Sequence, residues 1–171
     1  MTMTRPDPSE FAPFYAGYVA TVPDSGPVQL LQEQIAQLDR LRTLPEDKAN
    51  HRYADGKWSV KEVIGHIADG ERVFSYRLTR IARGDKTPLA GFDENAWAKT
   101  APHGRRPIGN VINEMIAVRR STLSLIDSLD EAALANTGVA NNNPVSARAI
   151  CWIMAGHTKH HLDILKERYG I

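Results

Sequence analysis

His157 and His161 lie four residues apart in the run GHTKHHLDILKERYG, residues 156–170, which holds three of the chain's six histidines. The spacing limits what they can do. Ala147, Ile150 and Met154 before them, and Ile164 after, continue the same step of three and four, the signature of the inward face of an amphipathic helix. Two imidazoles therefore stand where core residues belong, one turn apart and able to converge on a common point. His160 falls one step off this stripe, beside His161, and reads as a rim residue or a helper behind the ligands.

An earlier segment carries a matching oddity. Val63, His66, Gly70 and Val73 share one helical face, which puts His66 where a core side chain would sit, and Gly65 and Gly70 leave room for a close neighbour or ligand. If the two helices face each other, three imidazoles meet. Neutral imidazoles suit zinc, nickel, iron or copper, and three of them leave coordination positions open, as in a catalytic rather than a closed structural site. Any one ring alone would more simply be a hydrogen-bonded core histidine; the four-residue pair together with a third inward ring favours a metal. Asp69, three residues past His66, lies close to the same face and is the candidate carboxylate, as a ligand's partner or an outer ligand, against the alternative of a surface charge. Glu71 turns away by more than a right angle. His51 and His103 lie in connectors and receive no role, though His103 could line the mouth of a site.

Several chemistries fall away. A zinc protease of the H-E-x-x-H type needs a glutamate after the first histidine, and Thr158 follows His157 here. Di-iron bundles need paired Glu-x-x-His motifs, which are missing. One cysteine, Cys151, provides neither a C-x-x-C-H haem attachment nor a thiolate-rich site nor an internal disulfide, and it reads as a buried, inert thiol.

Four segments must position these groups. Helical periodicity runs from about Pro27 to Leu44, from Ser59 to a stop at Gly84, from Ile108 to Leu129, and from about Pro144 to Tyr169 with Gly170 as terminator. Ser59 and Glu62 form a capping box. The 45–58 connector either holds a short hairpin or crosses the bundle end. The long 85–107 connection carries one short helix near Asp93–Lys99, and a connection of that length is functional or bridges opposite bundle ends. Strand-like alternation is nearly absent, so the fold class is all-α, a four-helix bundle. Residues 1–24 form an irregular, proline-broken arm whose Phe11, Phe14, Tyr15 and Tyr18 pack on the body, and residues 25–171 form a single domain. Arg119 and Arg120 read as solvated.

A net charge of +1, with basic residues dispersed, argues against a nucleic-acid surface. No apolar run approaches the ~18–20 residues of a membrane span, and the N-terminus lacks a signal-peptide core. The expected compartment is the cytoplasm.

The stretch KWSVKEVIGHIADGERVFSYRLTRIARGDKTPLAGFDENAW, followed by GHTKHHLDILKERYG, resembles the DinB/YfiT-like superfamily of DNA-damage-inducible four-helix bundles, which is unrelated to the DNA polymerase of similar name. The most specific elements are W-S-x-x-E-x-x-x-H and H-x-x-x-H-H. The resemblance implies an up–down–down–up bundle with a long crossover between the second and third helices. It implies a divalent metal (zinc, nickel or iron) on His66, His157 and His161, and a homodimer. It also implies a small-molecule substrate handled by a metal-dependent hydrolase or by a thiol S-transferase using a low-molecular-weight thiol. In the hydrolase case Asp69 or His160 would have to serve as base. A non-catalytic stress-response module that binds a metal or ligand is the alternative, and a dimerisation bundle whose histidines satisfy one another is a third.

Overall fold

The computed structural model describes residues 3–171. Short helices α1 (Ala16–Thr21) and α3 (Glu46–Ala49) flank the first long helix, α2 (Pro27–Arg40). The second long helix, α4 (Val60–Ala82), is followed by a crossover carrying α5 (Glu94–Thr100) and a 3-10 turn at His103–Arg105. Then come α6 (Ile108–Asp127), α7 (Glu131–Ala135), a hairpin of β1 (Thr137–Ala140) and β2 (Asn143–Ser146), and α8 (Ala147–Tyr169). No helix among the described residues is long and apolar enough to cross a membrane.

The ends form where local chemistry demands them. Ser59 Oγ accepts from the Glu62 amide at 3.3 Å while the Ser59 amide donates to Glu62 Oε2 at 2.7 Å, a reciprocal cap for α4. Asp93 caps α5 in the same spirit, taking the amides of Asn95 and Ala96 at 3.0 Å. The last helix begins at Ala147, capped by Ser146, rather than at Pro144. Pro144 instead lies in β2, in a hairpin that the sequence reading lacked. Asn141 and Asn142, at φ 50° and 61°, make its two-residue turn. The 45–58 connector holds α3 and crosses the bundle end without a strand.

α4 packs against α6 and α8, and α2 packs against the same two, so the consecutive helices α2 and α4 sit on a diagonal. Buried apolar residues form two clusters. One joins Leu30 and Leu31 of α2, Leu78 and Ile81 of α4, Ile126 of α6 and Ile150 and Ile153 of α8. The other joins Leu38, Val63 and Ile64, Ile112 and Met115, and Leu165. Early residues of α2 and α8 thus share a core with late residues of α4 and α6. The outer two helices in the chain run one way and the middle two run the other, so α4 and α6 are parallel and need the crossover to return the chain.

Between the two cores lies a polar waist. Arg119 of α6, which the sequence reading left in solvent, is 0% exposed. Its guanidinium donates to the Glu71 carboxylate at 2.6–3.0 Å, to Leu31 O and Gln34 Oε1 at 2.9 Å, and to Thr158 Oγ1 at 2.9 Å. One side chain therefore ties all four bundle helices. A buried guanidinium is tolerable because its charge is paired and its donors are used.

The arm is held on α8. Arg5 donates to Val19 O and Val22 O at 2.7 and 2.9 Å and stacks over Trp152, and Glu10 pairs with Arg148 and Ser146. Phe14 remains exposed. The closest approach is backbone to backbone: a Cβ added at Gly156 would lie 2.0 Å from Tyr18 O. Gly156→Ala is therefore expected to lift α1 from α8 and cost about 1–3 kcal/mol by overpacking. The measure is a lower melting temperature together with new proteolytic cleavage between residues 16 and 22; an unchanged digestion pattern would count against it.

Candidate metal centre

His66 comes from the second turn of α4 and His157 and His161 from the middle of α8, two neighbours in the bundle that meet edge to edge along the waist. The Nε2 atoms of His66 and His157 are 3.1 Å apart and those of His157 and His161 are 3.2 Å apart. All three donor atoms lie within 4.8 Å of one another. His66 and His157 are each 6% exposed and His161 is half-buried. Gly70 makes the meeting possible, since a Cβ there would already stand 3.3 Å from His157 Cε1.

Two nitrogens bound at ~2.0–2.1 Å to one tetrahedral or octahedral ion sit roughly 2.9–3.4 Å apart, and the observed separations fall inside that window. Mutual hydrogen bonding fits less well. An Nε2 carries either a hydrogen or a lone pair, so His157 Nε2, which faces both neighbours, can either donate to one or accept from them but not do both. A cation at the centre takes one lone pair from each ring. The donor set therefore fits a divalent metal.

The surroundings keep the rings neutral. Trp58 packs on His66 with ring centroids 4.7 Å apart, and Tyr18 and Phe74 pack on His157 at 5.5 and 5.7 Å. Burial is the main cause lowering the His66 pKa to about 4 and that of His161 to about 3, and it holds His157 well below its ordinary value, with the neighbouring rings adding to the effect at His157 and His161. At neutral pH the lone pairs are free for a metal. The Cys151 thiol is pushed up to about 12 by burial, so thiol chemistry here would need a thiol from outside the chain.

Asp69 is engaged beside the histidines. Its Oδ2 meets His103 Nε2 at 3.0 Å and its Oδ1 accepts from Arg72 at 3.3 Å, contacts that outweigh burial and lower its pKa. His103, buried at the turn after α5, packs flat on α4, where a Cβ at Gly65 would stand 2.2 Å from its Cγ. The room left by Gly65 is thus filled by an imidazole of the crossover. His160 sits exposed at the rim, its ring 5.3 Å from that of Tyr18.

The crossover brings one group that periodicity could not flag. Glu94, the first residue of α5, places Oε2 4.0 Å from His66 Nε2 with its side chain 54% exposed. It lines a cavity of about 280 Å³ that also touches His157. The remaining walls come from the arm (Tyr15, Tyr18), from α4 (Phe74, Arg77), from Phe92, and from the hairpin turn at Asn141.

The sequence model of the DinB superfamily matches residues 29–165. A protein of Oceanobacillus iheyensis named "putative metal-dependent hydrolase" is 24% identical over 85% of this chain and 88% of its own. A protein of the same name from Geobacillus thermodenitrificans is 30% identical over 74% of each chain. Among solved structures, Bacillus subtilis YfiT, reported as a "probable metal-dependent hydrolase with an unusual four-helix bundle topology", superposes with a TM-score of 0.74 at 19% identity, covering 84% of this chain and 86% of that one. A mycothiol-dependent maleylpyruvate isomerase superposes with a TM-score of 0.64 at 14% identity, over 85% of this chain and 61% of that one.

Proposed function

Because the chain belongs to the DinB superfamily and brings three buried imidazoles together, we propose that it is an enzyme dependent on one divalent metal, acting on a small molecule in the adjoining cavity. The observation that carries this is the pair of Nε2 separations, 3.1 and 3.2 Å, in an aromatic shell with a carboxylate 4.0 Å from His66. His66, His157 and His161 would hold the metal. Once bound, it supplies a Lewis acid that lowers the pKa of water or a thiol and polarises a carbonyl.

The chain's own residues do the rest. Glu94 accepts the proton of the incoming nucleophile and can return it to the leaving group. Its exposed position lets it reach reactants that the buried ring nitrogens cannot. Asp69 acts one step back: by holding His103 it fixes the crossover that carries Glu94. Trp58, Tyr18 and Phe74 exclude water from the rings, which strengthens every electrostatic contact inside. Hydrolysis, as the names of the relatives suggest, is the primary reading. Transfer of an external thiol is the second, favoured by the buried, inert Cys151 and by the fold shared with the mycothiol-dependent enzyme.

The test is elemental analysis of protein purified without added metal. About one ion per chain is expected, and His157→Ala should reduce it by more than about tenfold, since even loss of an outer partner costs ~10–100-fold in affinity. Equal metal content in the two proteins would overturn the ligand assignment. Metal-loaded protein is then assayed on ester and amide panels, and on electrophiles with and without low-molecular-weight thiols. Inertness towards all of them would instead indicate a non-catalytic binding module.

A further inference from the structure

Arg77 is a buried cation without an anion. It is 4% exposed, it forms no ion pair among the described residues, and its Nε is buried with no hydrogen-bond partner. One Nη donates to Ala90 O at 2.8 Å, which tethers the crossover and uses one of five N–H donors. The chain's other buried guanidinium, Arg119, shows what such a group requires: a bidentate carboxylate and three further acceptors. Leaving Arg77 unpaired is costly unless something else supplies the charge.

Its place in the fold says what that something is. Arg77 follows His66 by eleven residues on α4, almost exactly three turns, so the two share a face and are about 16 Å apart along the axis. Helical side chains lean towards the N-terminus, which brings the guanidinium back towards the histidines. It lines the cavity of about 280 Å³ that also touches His157 and Glu94, with Phe74, Tyr15, Tyr18 and Phe92 as flat apolar walls between. The cavity thus brings a buried cation into one lining with Glu94 and one of the three clustered histidines.

We propose that Arg77 is the substrate-anchoring residue of this cavity and that the substrate is a small, partly apolar molecule bearing a carboxylate. Only one of the five N–H donors of Arg77 has a partner among the described residues, and a carboxylate entering the cavity would accept from the guanidinium in a charge-assisted contact. Anchored there, the ligand presents its other end to Glu94 and His157. This deepens the metal-enzyme reading and rests on it for which end reacts; the recognition of a carboxylate itself does not need the metal.

Benzoate is the probe and uncharged benzamide its control, titrated calorimetrically into wild type with metal, wild type stripped by a chelator, Arg77→Met and Arg77→Lys. Wild type is expected to prefer benzoate by at least about tenfold in both metal states, as a charge-assisted contact implies. Arg77→Met should abolish the preference while keeping its metal, and Arg77→Lys should keep part of it. Equal benzoate affinity in wild type and Arg77→Met would overturn the proposal, as would binding seen only with metal present, because the carboxylate would then sit on the ion. Should Arg77→Met fail to fold, metal-stripped wild type decides: no preference for benzoate over benzamide overturns the proposal. A protein that carries no metal yet prefers benzoate would sink the metal reading and leave this one standing.

Discussion

Replacing Arg119 with methionine is expected to lower the free energy of unfolding by about 3–5 kcal/mol, among the largest effects available to one substitution in this chain. The side chains of Arg119 and Glu71 are 0% and 1% exposed. Without the guanidinium, the Glu71 carboxylate is left at the centre of the bundle with no counter-charge, and Leu31 O, Gln34 and Thr158 each lose a donor. The double variant Arg119→Met, Glu71→Met should recover most of the loss, because two apolar side chains of similar length can join the cores above and below. Urea denaturation of the wild type, the two single variants and the double variant closes the cycle. A single-variant cost below about 1 kcal/mol would mean that the pair contributes little, as exposed pairs do. The effect should reach the metal as well, since Thr158 adjoins His157 and a loosened α8 relaxes the ligand spacing.

Glu94→Gln is expected to reduce turnover by about 10²–10⁴-fold, the usual contribution of a positioned acid–base group, with metal content and melting temperature unchanged. The amide keeps the shape of the side chain and cannot take the proton. The combined readout separates roles: loss of both turnover and metal would make Glu94 a ligand, and retention of both would return the proton-transfer role to Asp69 or His160. Asp69→Asn serves as the companion. It should disturb the His103 contact and weaken activity less than Glu94→Gln, because the carboxylate acts through the crossover rather than on the reactants.

The clustering of His66, His157 and His161 is legible in the sequence because they sit on long helices, where a polar residue on an apolar stripe declares itself by phase alone. The same phase marks Arg119 on α6, which follows Met115 by four residues and precedes Thr122 by three, all buried, although arginine as a residue type belongs to solvent. Glu94, His103 and Phe92 were beyond that method. They lie on the crossover, and its path is set by contacts distant in sequence: His103 on Gly65 and Asp69, and Leu89 bonded to Val139 and Asn141. The hairpin was missed because its strands are four residues long and include a glycine and a proline, too short for alternation to show. Its Asn141–Asn142 turn was the one local signal, since asparagine tolerates positive φ better than other side chains.

The cavity walls have a consequence for how such a protein can change over time. All three clustered histidines are carried by the bundle, where a substitution endangers folding. Phe74 and Arg77 of the cavity wall share that constraint on α4, but Glu94, Phe92, Tyr18 and Asn141 are carried by the arm, the crossover and the hairpin turn, segments that tolerate exchange and insertion far better than packed helices do. Inheritance can therefore hold the three imidazoles in place while rewriting much of the wall around them. A single ancestral bundle could supply many unrelated chemistries, each a new set of surface segments laid over the same three imidazoles.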